Sequence, residues 1–445
     1  MIEPEINVCI VEDTEIVFDL NGNFYSQEDQ KIFYGLHKAK IIKDIIEITE
    51  PSGNIFKTRR IELVPNDYED DTILIKNVKI GKTFHWEKNE NERFLGSLKL
   101  QAIEGKIQAI NIVPLEDYLL SVISSEMSAT SSEELLRAHA VISRSWVMAQ
   151  LEKRDNPDEK TQSEQIETED EIIKWHDRKE HKNFDFCADD HCQRYQGVTK
   201  AYTKRVKRAI RDTHGVVLEY DGKICDTRFS KCCGGISESF ENVWENTPYP
   251  YLKSVEDYKF PADGFNTKFS NERNVENWIR STPPAYCNTA DEKVLSQVLI
   301  DYDQDTRDFF RWEVSYSQKE LSELLLKKTG IDFGEIIDLQ PVERGHSARM
   351  IKLKIVGSKK TVTIGKELEI RSALSETHLL SSAFFIVKME FKNNVPGRFF
   401  FKGAGWGHGV GLCQIGAAVM GAMGFKFDEI LIHYFRNALI KKIYD

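Results

Sequence analysis

Along its first hundred residues the chain alternates apolar and polar positions. Ile6-Asn-Val8-Cys-Ile10 and the stretch from Ile73 to Ile80 put apolar side chains on every second residue, the period of a half-buried strand. Residues 107–113 read as one more strand, closed by Pro114. The period then changes. Leu115, Tyr118, Leu119, Val122, Ile123 and Met127 keep helical spacing, with Ser121, Ser124 and Ser125 on the reverse face. Ser131 and Glu134 form a capping-box signature that opens a second helix, apolar nearly all round, to about Gln150. Residues 151–182 are crowded with acids, Lys and Gln and read as a solvated insertion. Strands resume at 215–230, and 266–300 read as an irregular insertion. Residues 312–400 alternate strands with one helix over 318–329, and the chain ends in a glycine-rich strand, a small-residue helix and a closing helix, Phe427–Phe435.

This order predicts an α+β fold in which β-rich lobes surround a central pair of helices. Four regions follow: 1–110, β-rich; 111–265, a core carrying the acidic insertion; 266–400, an α+β second lobe; and 401–445, which completes the core. Composition narrows the partners. A formal charge of −11 over 445 residues supplies no basic footprint for nucleic acid. No apolar run approaches the roughly 20 residues of a spanning helix. Residues 1–20 carry acids where a signal peptide has a basic start and an apolar run, so the chain is expected to lack an export signal.

Five groups of residues could carry chemistry. Glu126 falls in the middle of the apolar face of the first helix, one heptad after Leu119. A carboxylate held there is desolvated and suited to general acid chemistry, unless the helix ends at Ser125 and turns it outward. Arg144 and His139 lie inside the apolar second helix and each needs a partner, a buried carboxylate such as Glu126 for Arg144. His181, Cys187, His191 and Cys192 match a tetrahedral zinc set in ligand type, and four protein ligands make such a zinc structural; a competing picture uses Cys232 and Cys233, close in sequence to Cys225, and scattered thiols beside a surface histidine are the remaining alternative. Gly403, Gly405, Gly407, Gly409 and Gly411 occupy every second position around Trp406 and His408. Either one bare face of an extended segment meets another backbone or an extended ligand, or the segment is a tight turn packed under a helix. Cys233 or Cys413 with His408 as base would make a cysteine nucleophile, but no third group orienting the histidine is evident.

Taken together these segments resemble the stage II sporulation protein D family, which includes amidase enhancers. The resemblance is carried by Val113-Pro-Leu-Glu-Asp-Tyr-Leu119 with Ser125-Glu126-Met127, by Leu136–Trp146, by Gly234-Gly235, Val243-Trp244 and Pro250–Asp257, by the glycine segment, and by Glu429–Phe435. Phe84-His85-Trp86-Glu87 and Phe94–Leu98 fit its early region. Cys233 and Cys413 stand where that pattern has serine, and His139 where it has glutamine. The resemblance implies a lytic transglycosylase acting on peptide-stripped peptidoglycan, with Glu126 as its acid and base and a glycan-binding cleft. Arg144, Trp406, Gly407, His408, Gly409 and Gln414 are then expected to line that cleft. It also implies zinc at His181, Cys187, His191 and Cys192, glycan strands and a cell-wall amidase as partners, and a cell-envelope location, periplasmic or extracellular. The rivals are a non-catalytic glycan binder that stimulates an amidase, and a metalloenzyme, which needs a zinc with an open position.

Overall fold

The computed structural model describes residues 2–81, 87–128, 131–155, 165–175, 181–189, 191–199, 203–260, 264–299 and 308–445. Phe84-His85-Trp86, and residues 156–164 and 176–180 of the acidic insertion, lie outside the described residues. The chain divides into two compact units, the first Met1–Ala129, Arg178–Val216 and Lys442–Asp445, the second Thr130–Asp177 and Val217–Lys441. The fold is a strand-rich α+β mixture with several sheets.

The first unit is built on an 11-stranded sheet. The alternation at Ile6, Val8 and Ile10 becomes strand Glu5–Asp13, whose apolar side chains are buried. It pairs antiparallel with Lys106–Pro114, Ile6 opposite Val113 and Val8 opposite Asn111. On its other edge Phe186–Cys187 adds in parallel, Cys9 opposite Cys187. Lys106–Pro114 runs straight into helix α1 (Leu115–Glu126) through Pro114, whose missing N–H is no loss at a helix start. Glu116 and Asp117 in the first turn complement the helix dipole.

Helix α2 (Glu133–Asp155) opens the second unit and runs five residues beyond the predicted end. Its cap is one residue later than the predicted capping box: Ser132 Oγ accepts from Leu135 N–H at 3.3 Å, whereas Ser131 donates to Gln297 O at 2.8 Å. A five-stranded sheet holds Ile336–Arg344, Met350–Gly357 and Thr361–Gly365, and is extended in parallel by Glu171–Ile173. Part of the acidic insertion is therefore sheet edge. Residues 266–300 are likewise more regular than their composition predicts. Asn271 caps α3 (Glu272–Arg280), and Val275, Trp278 and Ile279 pack at helical spacing into a small core with Ile236 and Phe385. A three-stranded sheet of Arg311–Ser317, Arg398–Ala404 and Phe384–Met389 contributes Trp312, Phe384, Phe399 and Phe401 to the main core of this unit. Two helices follow it, α4 (Gln414–Ala422) and α5 (Phe427–Tyr434). Among the described residues no helix is long and apolar enough to cross a membrane.

An ion-pair triad centred on the buried Asp226 ties α2 to the following strand region. Asp226, 1% exposed, takes Arg228 side-on (Nε to Oδ1 2.8 Å, Nη2 to Oδ2 2.9 Å) and Lys153 at 2.6 Å. Burial alone would raise the Asp226 pKa; Arg228 and Lys153 outweigh it and hold the carboxyl below its ordinary range. Stability from this group is therefore fully present above the ordinary carboxylate range and is lost as pH falls through the depressed folded value. Asp226→Asn should lower stability by about 3 kcal/mol at neutral pH, since it leaves two cations around a neutral group. The gap in denaturant midpoint between wild type and variant should be full at pH 7 and begin to narrow only below the ordinary carboxylate value of 3.8, shrinking further towards the depressed folded value; a gap that stays constant from pH 7 down to pH 2 would contradict the assignment.

Candidate functional site

Within the first unit, α1 extends through Glu126, with Met127 N–H closing its last turn on Ile123 O at 3.0 Å. Glu126 is 9% exposed, so it does not turn outward. Its Oε1 receives the backbone N–H of Arg194 at 3.4 Å. That amide lies two residues past Cys192, on a segment fitted closely to α1. Tyr195 stacks on Tyr118 with ring centroids 5.1 Å apart, and its hydroxyl meets Asn111 Oδ1. Gln196 N–H donates to Ser121 Oγ at 3.1 Å, and the Tyr118 hydroxyl donates to Gln193 Oε1 at 3.4 Å. Ser124 Oγ, Ser125 Oγ and Gln193 Nε2 are buried with no hydrogen-bond partner among the described residues. The neighbourhood thus holds polar atoms without a partner among the described residues, a property of sites that take a polar ligand.

The same segment carries the predicted zinc set. His181, Cys187, His191 and Cys192 bring four ligand atoms within 4.8 Å of one another. Cys192 Sγ lies 3.5 Å from His181 Nε2 and 3.7 Å from His191 Nδ1, and Cys187 Sγ lies 3.8 Å from His191 Nδ1. A tetrahedral zinc with bonds of about 2.0–2.3 Å separates its ligand atoms by roughly 3.4–3.8 Å, so the donors fit the ion. The segment is also tied to the sheet, since Asp185 Oδ2 accepts from both the backbone N–H (2.8 Å) and side-chain amide (3.0 Å) of Asn7.

Within the second unit, the glycine segment departs from the extended alternative. Strand Arg398–Ala404 ends where the glycines begin to coil: Gly405, Gly407, Gly409 and Gly411 have φ of +76°, +91°, +78° and +74°. The period of two reflects alternating left-handed residues instead of one bare strand face. What lies against the bare positions is the protein's own chain. A Cβ on Gly411 would sit 2.1 Å from Arg228 O, and one on Gly409 would sit 2.4 Å from Arg349 Cζ. Trp406 and Cys232 exchange backbone hydrogen bonds, Glu238 N–H donates to Gly409 O at 2.8 Å, and Leu412 N–H to Arg228 O at 3.0 Å.

Two buried charged residues that sequence reading missed brace this loop. Arg349, 1% exposed, donates to Gly407 O through Nε (3.2 Å) and Nη2 (3.0 Å) and to Cys233 O through Nη1 (3.1 Å). Glu238, fully buried, accepts from Ser239 N–H, Asn242 Nδ2, His346 N–H, and the N–H and hydroxyl of Ser347. Neither residue lies in a local pattern; only the tertiary fold brings their partners together.

Trp406 and His408 are half-buried. Trp406 stacks on Phe309 with centroids 4.8 Å apart and planes at 11°. His408 meets Trp244 edge-on at 4.8 Å, and its Nδ1 accepts from Val410 N–H at 3.0 Å, so the neutral ring carries its proton on Nε2. Desolvation, reinforced by Arg228, Arg349 and Arg371, pushes the His408 pKa down to about 3. It is neutral at pH 7. Arg144 and His139 are fully buried in α2, and Gln414, 2% exposed, turns its amide onto His139 Nε2 at 3.3 Å. His139 also meets Ser143 Oγ at 3.2 Å and packs on Phe229, and burial lowers its pKa to about 3. It is a satisfied core histidine. The side chains of Arg144 and Gln414 are enclosed, whereas those of Trp406 and His408 keep an accessible edge. Glu126 and the zinc set belong to one unit, Arg144 and the glycine segment to the other.

A stage II sporulation protein domain matches residues 103–220, and a domain of unknown function matches residues 238–411. Stage II sporulation protein D of Bacillus amyloliquefaciens is 25% identical over 334 residues, covering 75% of this chain and 76% of that protein. Stage II sporulation protein D of Bacillus subtilis (strain 168) is 23% identical over 335 residues, with 75% and 76% covered. The amidase enhancer of Bacillus subtilis (strain 168) is 24% identical over 242 residues, 53% of this chain and 32% of that longer protein.

Proposed function

We propose that this chain, which is similar to stage II sporulation protein D over about three quarters of its length, is a lytic transglycosylase of the cell wall. Its substrate is the bond between N-acetylmuramic acid and N-acetylglucosamine in peptide-stripped glycan, and its product carries a 1,6-anhydro-N-acetylmuramic end. The observation that supports this reading is Glu126, a carboxyl enclosed at the tip of α1 beside buried polar atoms that lack partners among the described residues.

One carboxyl is enough for this reaction. Glu126 in its acid form protonates the glycosidic oxygen as the bond to C1 breaks, which frees the next sugar's hydroxyl. As carboxylate it takes the proton of the muramic C6 hydroxyl, whose oxygen bonds to C1 of the same ring. The acid form is restored and no water is consumed, so the second carboxylate of a hydrolase has no role. Arg194 N–H is placed to steady the carboxylate stage. His181, Cys187, His191 and Cys192 are the proposed zinc ligands. Four protein ligands leave no open position, so zinc there would supply rigidity to the segment ending at Arg194. Trp406 and His408 are the proposed sugar contacts, with the backbone at Gly407 and Gly409. The enclosed Arg144 and Gln414 serve this reading through packing.

The substrate places its work in the cell envelope, with a cell-wall amidase as the expected partner that strips the peptides. The test is purified chain alone on peptide-stripped glycan and on intact sacculi, with products read by mass spectrometry. Anhydro-muramyl ends from stripped glycan are expected. Retention of glycan without any such product would assign the chain to a non-catalytic enhancer role. Cys192→Ala should reduce turnover by about 10²-fold in a protein that still folds, because a loosened Arg194 amide no longer positions Glu126. Unchanged turnover in a zinc-free variant would show that the metal segment does not act on that carboxyl.

A further inference from the structure

The second unit holds another set of metal-type ligands that the proposed reaction does not use. Cys233 follows strand Phe229–Ser230, Asp257 follows the turn at Pro250–Leu252, Cys287 lies beyond α3, and Cys413 immediately precedes α4. These four stretches are far apart in sequence, yet three sulfurs and one carboxylate oxygen lie within 4.8 Å of one another. All four residues are sealed from solvent, at 2%, 0%, 1% and 0% exposure. We propose that Cys233, Asp257, Cys287 and Cys413 form a second, closed zinc site that fastens the glycine segment and α4 to the body of this unit.

The donor chemistry selects the ion. Three thiols beside one carboxylate favour a soft or borderline metal such as zinc over calcium or magnesium, which take all-oxygen cages. The spacing selects the geometry. In a tetrahedral zinc site with bonds of about 2.3 Å, neighbouring sulfurs stand roughly 3.8 Å apart. Cys233 Sγ and Cys287 Sγ are 3.6 Å apart. A disulfide would need about 2.05 Å.

The surroundings match the outer shell of a metal centre. Asp257 Oδ2 accepts from Cys287 N–H at 2.9 Å, and its Oδ1 accepts from the buried hydroxyl of Tyr434. These bonds orient the carboxylate and still leave it a lone pair for an ion. Cys413 Sγ accepts the backbone N–H of Cys233 at 3.2 Å, an amide aimed at sulfur. Three thiolates and a carboxylate around a divalent ion carry a net charge of −2. Arg311, whose Nη1 donates to Gly234 O at 3.0 Å, sets a cation one residue from Cys233 to offset it.

The test starts from a Cys187→Ala, Cys192→Ala variant, which lacks the first cluster, so its outcome does not depend on the proposed catalysis or on zinc elsewhere. Native mass spectrometry and elemental analysis should find one zinc per chain in that variant, and none after Cys287→Ala and Cys413→Ser are added. Should those added changes prevent folding, alkylation of the wild-type chain supplies an independent reading: Cys233, Cys287 and Cys413 should react only after a strong chelator is applied. The proposal is overturned by a first-cluster variant that folds and holds no zinc. It is overturned equally by a chelator that leaves the reactivity of the three thiols unchanged, or by a Cys233–Cys287 disulfide in the peptide map of freshly purified protein.

Discussion

With glutamine in place of Glu126, release of anhydro-muramyl product from peptide-stripped glycan should fall by about 10³-fold or more, while the melting curve stays close to that of the wild type. The substitution preserves shape and keeps an oxygen to receive Arg194 N–H, the contact that Oε1 makes now. It removes the only property the mechanism requires, a proton that can be given and taken back. The end of α1 is held by backbone, Met127 N–H to Ile123 O, so the helix does not depend on the charge. Mass spectrometry of digests, alongside circular dichroism of the same preparations, separates a chemical loss from a folding loss. A folded variant with full activity would rule out Glu126 as the acid.

The largest stability effect is expected at Arg349. Replacing it with methionine fills most of the volume but withdraws the donors now serving Gly407 O and Cys233 O. Leaving such carbonyls buried without partners should cost about 2–4 kcal/mol in total. Four glycines of the segment have positive φ, so the segment has no regular ladder of its own to fall back on. The denaturation midpoint should drop without a change in slope. A shift equivalent to less than about 0.5 kcal/mol, the size of an ordinary surface substitution, would show that the guanidinium is not the brace described.

The parts of this architecture legible in the sequence are those with local periodicity. Ile6, Val8 and Ile10 announced a strand because burial on one sheet face forces a period of two, and Glu126 was placed on the apolar face of α1 by helical phase alone. The zinc-type set was legible because its ligands lie within one short stretch. The glycine segment shows where such reading fails. Alternate glycines arise equally from a bare strand face and from alternating left-handed turns, and only the positions of Arg228 and Arg349, remote in sequence, decide between them. Glu238 gives little sequence signal, since its partners at 346 and 347 meet it only after folding. Cys233 and Cys413 were each visible, but Cys287 sat in a stretch read as irregular, and nothing local connects the three.

The last four residues belong to the first unit. Tyr444 places its hydroxyl 2.7 Å from Glu116 Oε1 at the start of α1, and Ile443 N–H donates to Gly215 O. During synthesis Glu116 leaves the ribosome long before Tyr444, so the helix that carries Glu126 gains this contact only after the whole of the second unit has been translated. Premature termination shortly before Lys442 would yield a polypeptide with every proposed catalytic and metal-binding side chain present, yet without the Tyr444 hydroxyl at the root of α1.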